Sequence, residues 1–189
     1  MKITPAADLD QWHLSRWAKF TASENYKLLI GGSKGETFGG GAMTYIKEKV
    51  LQMTTHYWDR PELDEVKSLL HGKMYEFQAY QATVQQTGYT GLIYMGEDNP
   101  LFLEYEALQG ESGGSPDSIS LSDSATVEIV AELKCPKNPM YHFERLKWKD
   151  QWDLKEGYAS CYCQIQNLML ITGAPLGLFT SFDDRQKRP

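Results

Sequence analysis

The chain has 189 residues, 41% of them hydrophobic and 12% aromatic, which suits a single globular domain over residues 1–189 with a sizeable core and excludes a disordered segment. No apolar run nears the roughly 18 to 20 residues of a membrane span, and the opening MKITPAADLDQWH has no signal-peptide core, so a cytoplasmic protein without a membrane partner is expected. The net charge of −6 speaks against nucleic acid as a partner until its distribution is read.

In chain order, Thr21 with Glu24 three residues on reads as a capping box, predicting a helix from Ala22 to Gly31 or Gly32. Ser23 in its first turn and the nearby Arg16 would make a phosphate pocket there, although a capped helix with an exposed arginine explains the same residues. The glycine-rich Gly31–Gly41, with Lys34, lacks the spacing of a phosphate-binding loop and reads as a connection. Met43, Ile46, Val50 and Met53 predict an amphipathic helix over 42–55. Pro61 and Glu62 open a second helical stretch, one long or broken, that ends at Gly88. Glu76 flanks the apolar stripe of that stretch, and a half-buried carboxylate needs a partner.

Leu92–Met95 and Leu101–Tyr105 read as short strands joined by the GEDNP turn, in a meander leading towards Asp117, with LQGESGG as a loop. Asp117 follows a Gly-Gly-Ser-Pro turn that opens into a strand. Val127 to Lys134 alternates in period 2, so Glu132 and Lys134 share one strand face. Asp117, Glu132 and Lys134 can thus meet at a sheet end, where carboxylate oxygens suit Mg²⁺ and a lysine can orient or deprotonate water. An exposed Glu–Lys pair explains the tripeptide alone equally well.

From Met74 to Leu133 there are ten acids and no Lys or Arg, while the other 129 residues hold 19 basic and 15 acidic groups. A metal-loving acidic block therefore lies between mildly basic flanks. After Pro136, Lys137, Arg145, Lys147 and Lys149 interleave with Tyr141, Phe143, Trp148 and Trp152, as on a nucleic-acid surface or on a core edge covered by long cationic stems. A long helix over 154–172, with Gln164 on one side, closes at Gly173, and GLFTSFDD reads as a last strand. Cys135, Cys161 and Cys163 are expected as free thiols, and His13, His56, His71 and His142 have no ligand spacing. Helices, strands, a crossover helix and a strand give an α/β or α+β protein whose central mixed sheet is flanked by helices.

Five blocks fall in one order: WHxxR with TASE (Trp12–Arg16, Thr21–Glu24), GKMYE (Gly72–Glu76), SPD (Ser115–Asp117), ELKCP (Glu132–Pro136) and QIQNLMLIT (Gln164–Thr172). Together they resemble the phage lambda exonuclease family of alkaline exonucleases, within the PD-(D/E)xK nuclease superfamily and its restriction-endonuclease-like core. The resemblance implies that Asp117, Glu132 and the backbone carbonyl of Leu133 bind Mg²⁺, for which Mn²⁺ would substitute, and that Glu76 serves a second ion or its water. It implies that Lys134 positions and activates the attacking water, that Gln164 helps to hold the site, and that Arg16, Ser23 and Ser115 receive a terminal 5′-phosphate. The implied activity is 5′-to-3′ digestion of one strand of duplex DNA to mononucleotides, leaving a 3′ single strand for recombination. The implied assembly is a homotrimer that threads DNA and works beside a single-strand annealing protein. Leu69 would be either an apolar wedge at the strand junction or a core leucine. Relatives carry further C-terminal residues, so an extension is expected to be missing. A structure-specific endonuclease with the same motifs, and a non-catalytic recruiter to DNA ends, are the alternative functions.

Overall fold

The computed structural model describes residues 1–30, 37–55, 67–96 and 100–186. Most of the glycine-rich connection with Lys34, the start of the second helical stretch at Pro61 and Glu62, His56, and Glu97 and Asp98 of the GEDNP turn lie outside the described residues.

Two four-stranded mixed sheets carry the fold. The first has the order β3-β6-β7-β8, formed by Leu92–Tyr94, Ser118–Leu121, Val127–Lys134 and Leu176–Ser181. β7 runs antiparallel to β6 and parallel to β8, with Glu132 opposite Phe179 and Lys134 opposite Ser181. Residues 129–133 of β7 are all buried, as befits a central strand covered on both faces. α3 (Lys67–Thr87) packs through Ala79 against Leu133 and Cys135. α6 (Ala159–Thr172) packs through Leu168 against Val130 and Ile119.

The second sheet was not foreseen as such. It has the order β1-β4-β5-β2, formed by Lys2–Pro5, Leu101–Glu104, Ser112–Gly114 and Phe20–Thr21. The strand pair at 92–105 is therefore no meander: β3 pairs with β6, and β4 pairs with β1 and β5 in the other sheet. The stretch read as a loop contains β5, whose glycines admit neighbours that a side chain would exclude. A Cβ at Gly113 would lie 2.5 Å from the Leu103 carbonyl oxygen.

The helix expected from Ala22 does not form. Thr21 belongs to β2, paired with Gly113; its N–H is donated to the Tyr45 hydroxyl at 3.0 Å, and the Glu24 N–H that a capping box would give to its side chain goes to its carbonyl at 2.9 Å. A turn follows, then a 3-10 helix over Asn25–Leu29. α1 (Leu9–Arg16) precedes it, with Asp8 accepting from the Gln11 N–H at 2.8 Å as N-cap. α2 (Gly40–Thr55) matches its periodicity, and α3 stops before Gly88, whose φ is +73°. α4 (Pro139–Arg145) and α5 (Gln151–Gly157) start at the caps Asn138 and Asp150. The single helix expected from Leu154 is broken: Tyr158, at φ −152°, separates α5 from α6. Gly157 lies so close to Trp148 that a Cβ would approach the indole to 2.4 Å. α6 ends at Gly173 with φ +75°, as read from the sequence.

Candidate active site

The site begins where β6 stops short of the end of β7. The pairing register ends at Ser118 opposite Ala131; the Asp117 N–H still bonds the Ala131 carbonyl, and Pro116 before it has no N–H to carry the ladder further. The backbone of β7 thus continues past its neighbour. The free Leu133 N–H is taken by the Asp117 side chain, donating to Oδ2 at 2.6 Å. Asp117 is itself fixed by backbone bonds to Ala131 and Met95. One carboxylate is thereby held against the strand that carries the other.

Glu132 is 1% exposed and aims at the same spot. Its Oε1 accepts a hydrogen bond from Lys134 Nζ, and its Oε2 is buried without a partner among the described residues. Burial first, and then the Asp117 charge, push the Glu132 carboxyl up to about 8, with Lys134 opposing. Burial likewise raises Asp117. Burial works against the Lys134 ammonium, but Glu132 and Asp117 outweigh it and raise its pKa, so Lys134 stands here as a donor, not a base. Glu76 enters from α3, half-buried, with Oε1 accepting from the Tyr94 hydroxyl at 3.0 Å. Its charge also reaches Glu132. Tyr94 had no signal in the sequence, because its bond depends on β3 packing beneath α3.

Among the described residues no three or more His, Cys, Asp or Glu side chains form a ready-made metal cage. The donor set nevertheless fits a hard divalent cation. Crowded carboxylate oxygens, one of them orphaned in the interior, are the ligands that such an ion takes.

The second group of residues lies along the same cleft. Arg16, the last residue of α1, places its guanidinium 4.2 Å above the Trp12 ring and 3.5 Å from Ser23 Oγ. Trp12 Nε1 donates to Ser115 Oγ at 2.9 Å. Arg16, Ser23 and Ser115, apart in sequence, are thus linked through one indole, and Ser115 lies two residues before Asp117. Burial lowers the Arg16 pKa, opposed by Glu24, Tyr45 and then Glu132.

The cleft has a volume of about 1740 Å³ and is lined by Glu76, Asp117 and Lys134, by Arg16, Ser23 and Ser115, and by Gln164, while Glu132 is buried and bonded to Lys134. That is beyond the usual 300–1,000 Å³ or so of a small-molecule pocket and suits a polymer. Leu69 lines it too and is 42% exposed, so the core reading of this leucine is corrected. The basic and aromatic stretch divides between its two readings. Lys137 and Tyr141 line the cleft, whereas Arg145, also on the wall, stacks over Tyr158 at 4.7 Å. All three cysteines are free, with Cys135 and Cys161 pushed up to about 12 by burial.

No protein-family model and no curated protein sequence matches the chain. Among solved structures it is similar to the alkaline exonuclease LHK-Exo from Laribacter hongkongensis, at a TM-score of 0.67 and 22% identity over 94% of this chain and 75% of that one. Against LHK-Exo in complex with dAMP the TM-score is 0.69 at 20% identity, with the same coverage. The two mixed sheets and their helices therefore have the fold of an alkaline exonuclease.

Proposed function

We infer that the protein is a DNA exonuclease that digests one strand of a duplex from its 5′-phosphorylated end, releasing mononucleotides. The observation that carries this reading is the placement of Asp117 and Lys134, the latter bonded to the buried Glu132, in the same cleft as Arg16, Ser23 and Ser115. The exonuclease fold and the dAMP in the neighbour's complex support it. Asp117, Glu132, the Leu133 carbonyl and Glu76 would hold Mg²⁺, or Mn²⁺ in its place. When bound, the cation supplies positive charge and Lewis acidity at the scissile phosphate.

The chain's own residues do the rest. Arg16, Ser23 and Ser115 hold the terminal 5′-phosphate, which sets the reach of the strand so that the next phosphodiester lies over the carboxylates. Lys134 donates to the attacking water and to the phosphate, and Gln164 helps to hold the strand in place. The water oxygen bonds to phosphorus as the bond to the 3′ oxygen breaks; the water gives up one proton to solvent and the 3′ oxygen takes one up, so the step balances. One nucleotide leaves, and the shortened strand again ends in a 5′-phosphate that can advance by one step. The family resemblance extends this reading to a homotrimer around DNA that passes its 3′ single strand to an annealing protein for recombination.

A linear duplex with either a 5′-phosphate or a 5′-hydroxyl, incubated with and without Mg²⁺, tests the reading by strand-resolved product sizing. Mononucleotides from the 5′-phosphorylated strand are expected with Mg²⁺ and none with chelator. Cutting of covalently closed circles, or products from the 3′ end, would overturn it.

A further inference from the structure

Beneath the Arg16 pocket, α2 contributes two side chains that the activity just described does not use. Tyr45, 1% exposed, accepts the Thr21 N–H at 3.0 Å and packs edge-on against Phe20, with ring centroids 5.5 Å apart. Thr21 Oγ1 lies 3.4 Å from Ser23 Oγ, so Tyr45 supports the turn that presents Ser23 to Arg16. One turn further along α2, Lys49 is 7% exposed. Its ammonium stands 5.3 Å from the Tyr45 ring centre and 3.4 Å from Gln52 Oε1, both neutral. Gln52 also accepts the N–H of Ala18, at φ +59°, in the same turn.

Among the described residues no carboxylate lies within ion-pairing distance of Lys49. The nearby Glu24 is bonded to Lys27 at 2.6 Å, and the Lys27 ammonium also faces the Tyr45 ring, at 5.0 Å. Burial lowers the pKa of both Lys49 and Arg16; Glu24 and Glu48 only partly offset this at Lys49, and Glu24, Tyr45 and Glu132 only partly at Arg16. A buried ammonium without a counter-charge is costly, and apolar replacement of such a group is often stabilising. The region therefore holds more buried positive charge than its own acids balance, beside a pocket lined with hydroxyls.

We propose that Lys49 is a specificity-determining residue of this pocket, supplying with Arg16 the second positive charge that selects a terminal phosphomonoester over an internal phosphodiester. The chemistry matches: a terminal phosphate carries a charge of about −1.5 to −2 at pH 7, whereas a diester carries one negative charge. Arg16 and the hydroxyls bond the oxygens, and Lys49 acts through space from the layer behind. A lysine with a purely structural role would be served equally well by an apolar side chain.

The proposal rests on the phosphate-pocket reading, and the experiment separates the two. The full chain with Mg²⁺ is assayed on duplexes whose single open end carries a 5′-phosphate, a 5′-O-methylphosphate or a 5′-hydroxyl, with KM and kcat measured for Lys49→Met, Lys49→Gln and Arg16→Ala. Lys49→Met is expected to reduce the preference for phosphate over methylphosphate by about tenfold, a difference on the scale of one pKa unit, chiefly through KM. Its melting temperature should be equal to or above that of the unaltered chain, and Lys49→Gln supplies the same comparison should the methionine variant not fold. If Arg16→Ala lowers the phosphate-to-hydroxyl preference while both Lys49 variants keep the phosphate-to-methylphosphate preference, the role of Lys49 is overturned and the pocket stands. If Arg16→Ala changes neither preference, the pocket reading fails and Lys49 falls with it.

Discussion

Glu132 is more deeply confined than a carboxylate needs to be for packing. One oxygen is engaged by Lys134, the other has no partner among the described residues, and Asp117 raises its pKa further, so the pair is held at a cost to the folded chain. Replacing Glu132 by Gln should reduce digestion by at least about 10²- to 10³-fold, the scale seen when a charge-stabilising group leaves an active site. The melting temperature should not fall steeply, and any rise that Mg²⁺ gives the unaltered chain should vanish, because ligand stabilisation requires binding. Digestion within tenfold of normal would remove Glu132 from the site. His142 offers a separate test on α4. Its ring Nδ1 is 3.0 Å from Ser181 Oγ, and burial lowers its pKa, with Asp183 opposing and Arg145 reinforcing. The unfolded chain binds a proton at about 6.5, whereas the folded chain does so only at lower pH. This contribution to stability is therefore complete above that value and is lost as pH falls through the folded pKa. His142→Gln should flatten the fall in melting temperature between about pH 7 and 5.5; an unchanged slope would show that other groups set it.

At the scale of elements, legibility followed periodicity. β7, the end of α3 at Gly88 and the stop of α6 at Gly173 were readable because alternation and helix-ending glycines act locally. Thr21 misled because its capping-box spacing is local, whereas pairing with Gly113 and the bond to Tyr45 are tertiary and prevail over it. β5 was hidden for the opposite reason, since Ser-Gly-Gly has no side-chain pattern. Asp117, Glu132 and Lys134 were legible as a cluster because one strand and one turn carry them, but Lys49 was not, since only packing places α2 beneath Arg16. The glycines of β5 are there to let the sheets close. Gly113→Ala would drive a methyl to 2.5 Å from the Leu103 carbonyl oxygen and 2.4 Å from the Phe102 ring. A backbone oxygen cannot swing aside, so a loss of about 3 kcal/mol in urea unfolding is expected. Gly72→Ala on α3, with nothing within 4 Å among the described residues, should instead gain about 0.5–1 kcal/mol. Equal effects at the two positions would rule out close approach as the reason for Gly113.

For the molecule as a whole, the charge distribution is compatible with the proposed DNA substrate. Net charge is −6, yet the cleft gathers Arg16, Lys73, Lys137 and Arg145 on its walls around the carboxylates. Under the proposed function, attraction to the phosphate backbone would be concentrated in one place instead of being spread over the surface. Under the proposed function the duplex must also be parted before one strand can reach the carboxylates. The start of α3 offers the means: Leu69 and Leu70 are 42% and 44% exposed on the cleft wall, where apolar side chains in water are unfavourable until something covers them. A base pair opened at that wall would trade stacking for contact with the leucines, as apolar wedges do elsewhere. Leu69→Ala should therefore slow digestion of a 5′-phosphorylated duplex by about tenfold, equivalent to about 1.4 kcal/mol in the barrier. The same oligonucleotide presented as a single strand should be digested at nearly the normal rate, because no pair has to open. Equal slowing on both substrates would make Leu69 a general contact with the strand, and strand separation would then have to arise elsewhere in the assembly.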